Sequence, residues 1–263
     1  MWDEPITGCG PVAWARFFRA VPQCSSAAVW CPNAAQHTAA CRCRNDSVRG
    51  PAAPGEIGLH HAFRLMYDEA QKAGIPPRHY EKFVNSINDL LTGFQDEKKW
   101  KVADTPPPLP IYNAVRSITA GAIPYCKYAP VQRDYRDLPD FVLEHPHILR
   151  MHWLTGLLVA YHNDFISAFR ELSRKGDVVN IVAVIAHERD LSLEDAWMDA
   201  MELHDQALHE FILLQENLPD FGEWQAKAKI YAADLGTNVQ GIYTWHHRDA
   251  LRYRPAPTSN PPL

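Results

Sequence analysis

The sequence predicts an all-α protein. From Leu59 onward, apolar residues recur every three or four positions, the spacing of a helix with one buried face. Proline and glycine clusters cut that pattern into helix-sized pieces, and no two β-type runs are joined by a hairpin turn. With 263 residues and 46% hydrophobic content, the chain can bury a large core.

Leu59, Ala62, Phe63, Met66, Ala70 and Ala73 mark the first helix, which stops at Gly74-Ile75-Pro76-Pro77. Tyr80, Phe83, Val84, Ile87, Leu90, Leu91 and Phe94 mark the second, and the Pro-rich stretch Asp104–Pro110 separates it from the next. Tyr112–Ile123 reads as a helix ended by Pro124, and Asp137-Leu138-Pro139 opens another with Phe141 and Val142 as its apolar start. A long apolar helix follows from Ile148 to Leu172, closed at Lys175-Gly176-Asp177. Asn180–His187 is apolar and fits either a helix or an extended segment. Ser192 is an N-cap residue before an acidic first turn, for a helix running to about Leu218 before Pro219. Trp224–Trp245 supplies the last long helix, and the Pro-rich tail 255–263 is expected to fray.

Five of the six cysteines (Cys9, Cys24, Cys31, Cys41 and Cys43) lie in the first 43 residues, where no helical period is sustained. Cys24, Cys31, His37, Cys41 and Cys43 could hold zinc, but they lack paired C-x-x-C knuckles. Disulfides would require export. We read residues 1–58 as an atypical segment, poorly structured or wrongly assigned, residues 59–254 as the helical domain and 255–263 as a tail. The net charge of −5 gives no reason to expect nucleic acid or an anionic membrane. The longest apolar run, Trp153–Tyr161, is too short to span a bilayer, and no basic start with an apolar stretch marks a secretory signal. A cytoplasmic protein is expected.

The chemistry concentrates in Asn163–Glu171, reading NDFISAFRE. Asn163, Ser167 and Glu171 are four residues apart and stack along one helix face. An amide oxygen, a hydroxyl and a carboxylate are hard donors of the kind Mg²⁺ takes, with its remaining positions left to water and substrate phosphates. Arg170, beside Glu171, suits a phosphate oxygen. Asp164 points to a neighbouring face, where it would orient the ligands. The bland alternative is a solvated polar stripe. Against it, Leu154–Tyr161 and Phe165–Phe169 are apolar flanks, and polar groups buried between them would cost about 1–3 kcal/mol each if left without partners.

Asn-Asp-x-x-Ser-x-x-x-Glu at Asn163–Glu171 resembles the second metal motif of class I terpene synthases at every defined position. The following Gly176-Asp177-Val178-Val179-Asn180 is similar to the loop and helix start that come next in bacterial members. Upstream, Arg116-Ser117-Ile118-Thr119-Ala120-Gly121 resembles the segment carrying the family's diphosphate-sensing arginine. On that resemblance Arg116 is the sensor, Thr119 the linker, and Ala120 or Gly121 the effector at a helix kink. Downstream, Trp245 to Arg252-Tyr253 resembles the C-terminal element whose Arg-Tyr pair donates to the diphosphate. The likeness covers Leu59 to Tyr253.

The resemblance implies the class I terpenoid synthase helical fold and Mg²⁺ as cofactor. It implies a prenyl diphosphate substrate, with farnesyl diphosphate favoured over geranyl or geranylgeranyl, and admits a homodimer. The implied reaction is ionisation of the allylic diphosphate, then carbocation cyclisation to a terpene with release of diphosphate. Asn163, Ser167 and Glu171 would hold metal, while Arg116, Arg170, Arg252 and Tyr253 would hold diphosphate. Phe63, Tyr67, Tyr161, Phe165, Tyr243 and Trp245 are candidates for an aromatic pocket, where ring faces favour a cation without offering a nucleophile. For each of them, plain core packing is the competing role.

The family's aspartate-rich first motif is not found before Leu59. Asp3, Glu4, Asp46 and Glu56 do not form it, and Asp68-Glu69, Asp96-Glu97 and Asp199 fall in the wrong helices. Phe17-Phe18 would be a remnant of its aromatic approach. The expectation is therefore a truncated or frameshifted product, or a diverged pseudo-enzyme incomplete at the N-terminus. Two alternatives to the enzyme stand beside it: a remnant that at most binds diphosphate, and a non-catalytic helical interaction protein.

Overall fold

A computed structural model describes residues 58–132 and 135–250. Every regular element among them is helical, and no strand occurs. In chain order they are α1 (Gly58–Lys72), α2 (Pro77–Ala103), α3 (Leu109–Thr119), α4 (Ala122–Gln132), α5 (Asp140–Leu143), α6 (Pro146–Glu171), α7 (Ile181–Arg189), α8 (Leu193–Glu216) and α9 (Gln225–Thr244). A single 3₁₀ turn, Gly222–Trp224, precedes α9, and a π-helical turn, Trp245–Asp249, follows it. The helix expected over Trp224–Trp245 is thus α9 with a different winding at each end. No helix among the described residues is long and apolar enough to cross a membrane.

The described residues divide into two compact units, 58–81 with the described part of 131–136, and 82–130 with 137–250. In the first, the turn after α1 uses Gly74 at φ 63°, a conformation that costs glycine little. Met66, Ala70, Ile75 and Tyr80 are buried there, and Tyr67 meets Tyr80 edge-on at 5.3 Å between centroids. Arg136 Nη1 donates to the Ala73 carbonyl at 3.0 Å, satisfying an acceptor left open by the helix end.

The second unit is organised on α6. Its residues from Met151 to His162 are almost all buried, as expected of a helix apolar on most sides, and α3, α7, α8 and α9 pack on it. Gly156 permits a close approach of α3. A Cβ built there would lie 2.2 Å from the Ser117 carbonyl oxygen of α3. On the α2 side, a Cβ on Gly93 would lie 2.7 Å from Thr119 Cγ2. Both glycines therefore admit the last turn of α3 by having no side chain.

Several boundaries differ from the sequence expectation. The helix expected over Tyr112–Ile123 begins earlier, after Pro108, and ends at Thr119. Gly121 takes φ 83°, and its N–H turns to the Ile118 carbonyl at 3.1 Å instead of continuing the four-residue ladder. Pro124 does not end a helix but lies in the first turn of α4, where its missing N–H costs nothing. The long helix starts at Pro146, with His145 Nδ1 accepting from the His147 N–H, and stops at Glu171. Asn180–His187 resolves to the helix α7, which Asn180 caps by accepting from Val182 N at 3.0 Å. Ser192 caps α8 as expected, accepting from Asp195 N.

Candidate metal and diphosphate site

The site is built where α3, α6 and the start of α7 meet. Asn163, Ser167 and Glu171 project from the last turns of α6. Asn163 Oδ1 accepts from Arg116 Nη2 at 2.8 Å, which joins the motif to the arginine expected to sense diphosphate. Ser167, 1% exposed, donates its hydroxyl to the Asn163 carbonyl at 2.8 Å and keeps oxygen lone pairs for another partner. Glu171 Oε2 accepts from Asn180 Nδ2 at 3.1 Å. Each of the three oxygen donors is thus anchored by a neighbour, the arrangement that fixes metal ligands in place.

Asp164 is the hub. It is fully buried and takes a hydrogen bond from the Tyr112 hydroxyl at 2.5 Å. It also accepts from Arg116 Nε at 3.1 Å, Arg116 Nη2 at 2.6 Å and the backbone N–H of Ile181 at 2.9 Å. Burial pushes its carboxyl up to about 6 while Arg116 pulls it down, so at neutral pH it is a carboxylate facing a guanidinium. Burial opposes the charge of Arg116, but Asp164 and then Glu97 hold it protonated. Burial and the Asp164 charge keep Tyr112 a neutral donor. Neither Tyr112 nor Asn180 is among the site residues the sequence assigns, although Asn180 closes the segment that resembles the family's loop and helix start. The available signals were a tyrosine one turn before Arg116 and an asparagine just before an apolar helix.

A model of terpene synthase family 2, C-terminal metal binding, matches residues 32–210. The chain belongs to this terpene synthase family. It is 26% identical over 203 residues to 10-epi-cubebol synthase of Sorangium cellulosum (strain So ce56), covering 75% of this chain and 60% of that protein. It is 28% identical over 170 residues to sesquiterpene synthase 1 of Postia placenta (strain ATCC 44394 / Madison 698-R), covering 64% of this chain and 50% of that one. The chain therefore spans between half and three fifths of the length of these relatives. 2-Methylisoborneol synthase from Streptomyces coelicolor A3(2), solved with Mg²⁺ and geranyl-S-thiolodiphosphate, shares the fold. Its TM-score is 0.74 at 19% identity, over 92% of this chain and 77% of that one.

In this terpene synthase family member the segment expected to carry the effector, Thr119–Gly121, falls at the break between α3 and α4. Thr119 Oγ1 is buried with no hydrogen-bond partner among the described residues, Ala120 closes α3, and Gly121 makes the turn. Arg170 Nε is likewise buried and without such a partner. The aromatic candidates separate. Tyr161 is packed in the core, stacked on Tyr112 with centroids 6.4 Å apart, and donates to Asn113 Oδ1 at 2.9 Å. Phe165 lies against Trp197 at 5.5 Å. Tyr243 meets His162 edge-on at 4.9 Å, and Trp245 neighbours His246 at 5.2 Å; both are partly exposed. Tyr67 belongs to the first unit, and Phe63 is on α1. Arg252, Tyr253, the N-terminal cysteines and the tail lie outside the described residues. Among the described residues, no group of three or more His, Cys, Asp or Glu is placed to hold a metal, so no aspartate-rich cluster is formed there.

Proposed function

We propose that the protein is a terpene cyclase. It would ionise an allylic prenyl diphosphate with Mg²⁺, cyclise the carbocation to a terpene and release diphosphate. The observation that carries this reading is the hydrogen bond between Arg116 and Asn163, which places a guanidinium on the hard-oxygen motif Asn163, Ser167 and Glu171. Those three residues fit Mg²⁺ by donor type, and Asn180 already orients Glu171. Bound there, Mg²⁺ neutralises charge building on the leaving diphosphate.

This chain's own residues do the rest. Arg116, held charged, offers donors to diphosphate oxygens, and Arg170 offers another through a guanidinium whose Nε no protein group takes among the described residues. Arg252 and Tyr253 would add donors as the site closes. The turn at Ala120–Gly121, where Gly121 takes φ 83°, would let a backbone carbonyl freed from the helix ladder face developing positive charge. Fifteen-carbon farnesyl diphosphate is the favoured substrate, in keeping with the relative named a sesquiterpene synthase. Family membership and the shared fold disfavour an unrelated interaction protein.

The test is incubation with Mg²⁺ and geranyl, farnesyl or geranylgeranyl diphosphate, followed by hydrocarbon analysis. A cyclic hydrocarbon from farnesyl diphosphate, abolished in Asn163→Ala and Glu171→Ala, is the expected result. An active protein indifferent to both substitutions would overturn the metal assignment. Mg²⁺-dependent binding of diphosphate without product would favour the binding remnant.

A further inference from the structure

We infer that Tyr112, Asp164 and Asn180 form a buried relay that couples the arginine arm of the site to its carboxylate arm, so that diphosphate and metal are bound as one unit. The inference rests on the function proposed above. All three side chains are fully buried, and their hydrogen bonds tie α3, α6 and the start of α7 together.

On the arginine side, the Asp164 carboxylate takes Tyr112 Oη, Arg116 Nε and Arg116 Nη2. With the Ile181 N–H added, its oxygens are occupied by four donors. A carboxylate so filled has little capacity left for a metal ion and acts by holding its donors in place. It takes one edge of the Arg116 guanidinium and leaves Nη1 for an anion. On the carboxylate side, Asn180 Nδ2 donates both to the Asp164 carbonyl at 2.9 Å and to Glu171 Oε2. Asn180 also caps α7, whose first N–H bonds Asp164. A displacement of Arg116 is therefore felt at Asp164, then at the α7 start, then at Glu171. Tyr112, Asp164 and Asn180 are positioning residues, since each acts through another group. Two sites joined by such a chain bias one another reciprocally.

The test is calorimetry with inorganic diphosphate at saturating and limiting Mg²⁺, on the full chain and on Tyr112→Phe and Asn180→Ser. The serine keeps a capping oxygen and removes the amide donor. Losing one hydrogen bond to a charged group should weaken diphosphate binding about tenfold in Tyr112→Phe. Losing the Glu171 partner should raise the Mg²⁺ concentration needed about tenfold in Asn180→Ser. The relay further requires each variant to show the other's defect: more Mg²⁺ for Tyr112→Phe and weaker diphosphate for Asn180→Ser. Tyr231→Phe is the structural control, because it breaks buried bonds to His152 and the Cys126 carbonyl elsewhere in the core. It should lower Tm and leave both binding constants unchanged. Should Tyr112→Phe fail to fold, Asn180→Ser decides alone through its effect on diphosphate. If the native chain binds and the variants bind like it, or if Tyr231→Phe copies their defects, the relay is wrong and the proposed function stands. If the native chain binds no diphosphate with Mg²⁺, both fall.

Discussion

Gly156→Ala tests the helix contact on which the site depends. A methyl group at this position would sit 2.2 Å from the Ser117 carbonyl oxygen and 3.3 Å from Ile123 Cδ1. Ordinary carbon–oxygen contacts are about 3.3 Å or longer, so α3 and α6 must part by roughly 1 Å. The clashing atom is backbone, which no rotamer change relieves. Overpacking of this kind costs about 3 kcal/mol or somewhat more, and the helix propensity gained from alanine returns about 1. A net loss of roughly 2–3 kcal/mol corresponds to a Tm lower by about 4–12 °C for a domain of this size. Two other glycines bracket the effect. Gly93→Ala meets the Thr119 methyl at 2.7 Å, a side chain that can give, so it should cost less. Gly241→Ala meets nothing within 4 Å inside α9 and should stabilise by up to about 1 kcal/mol. Urea denaturation followed by far-UV circular dichroism should rank Gly241→Ala above the native chain, then Gly93→Ala, then Gly156→Ala. Because Arg116 precedes Ser117, the same parting would stretch its 2.6 Å and 2.8 Å bonds to α6 and weaken diphosphate binding. A Gly156→Ala protein as stable as the native one would refute the close approach and the site geometry built on it.

Acid should destabilise the protein through its buried histidines. Burial, then His204, lowers His162 from 6.5 to about 3, and burial lowers His152 well below 6.5. Their stabilising contribution is complete above the unfolded value and shrinks as pH falls below it; for His162 the loss between about pH 7 and about pH 5 is about 2 kcal/mol, and His152 acts in the same direction. Urea midpoints at about pH 7 and about pH 5 measure this, and His152→Phe should flatten the slope. Burial pushes the Cys126 thiol up to about 12, so peptide mapping should find it unlabelled by thiol reagents until urea unfolds the chain. The exposed pair Arg150–Glu210 should contribute no more than about 1 kcal/mol in a double-mutant cycle, despite its two short bonds.

The helices were legible because their signals are local. Apolar spacing located α1, α2 and α6, and Ser192 marked the start of α8. The misread boundary at Pro124 has a physical cause. A proline interrupts a helix only beyond its first turn, and the true break is the left-handed Gly121 three residues earlier. The resemblance already implied a kink at Ala120 or Gly121; the close approaches of Ser117 to Gly156 and of Thr119 to Gly93, which seat the end of α3, are distant in sequence and carry no local signal.

The same distinction separates the two halves of the site. Asn163, Ser167 and Glu171 could be read from one segment because helical periodicity alone puts them on one face. Asp164 was placed on a neighbouring face as an orienting group, yet its partners could not be named, since Tyr112 and Ile181 come from helices before and after α6. Its burial explains why those partners are needed. A carboxylate with no exposure would be costly without a cation and several donors, and Arg116, Tyr112 and the capped start of α7 supply them. A substitution at Asp164 therefore acts first on Arg116. Asp164→Asn would leave a guanidinium at 12% exposure without its countercharge, and diphosphate binding should fall before any metal ligand is touched.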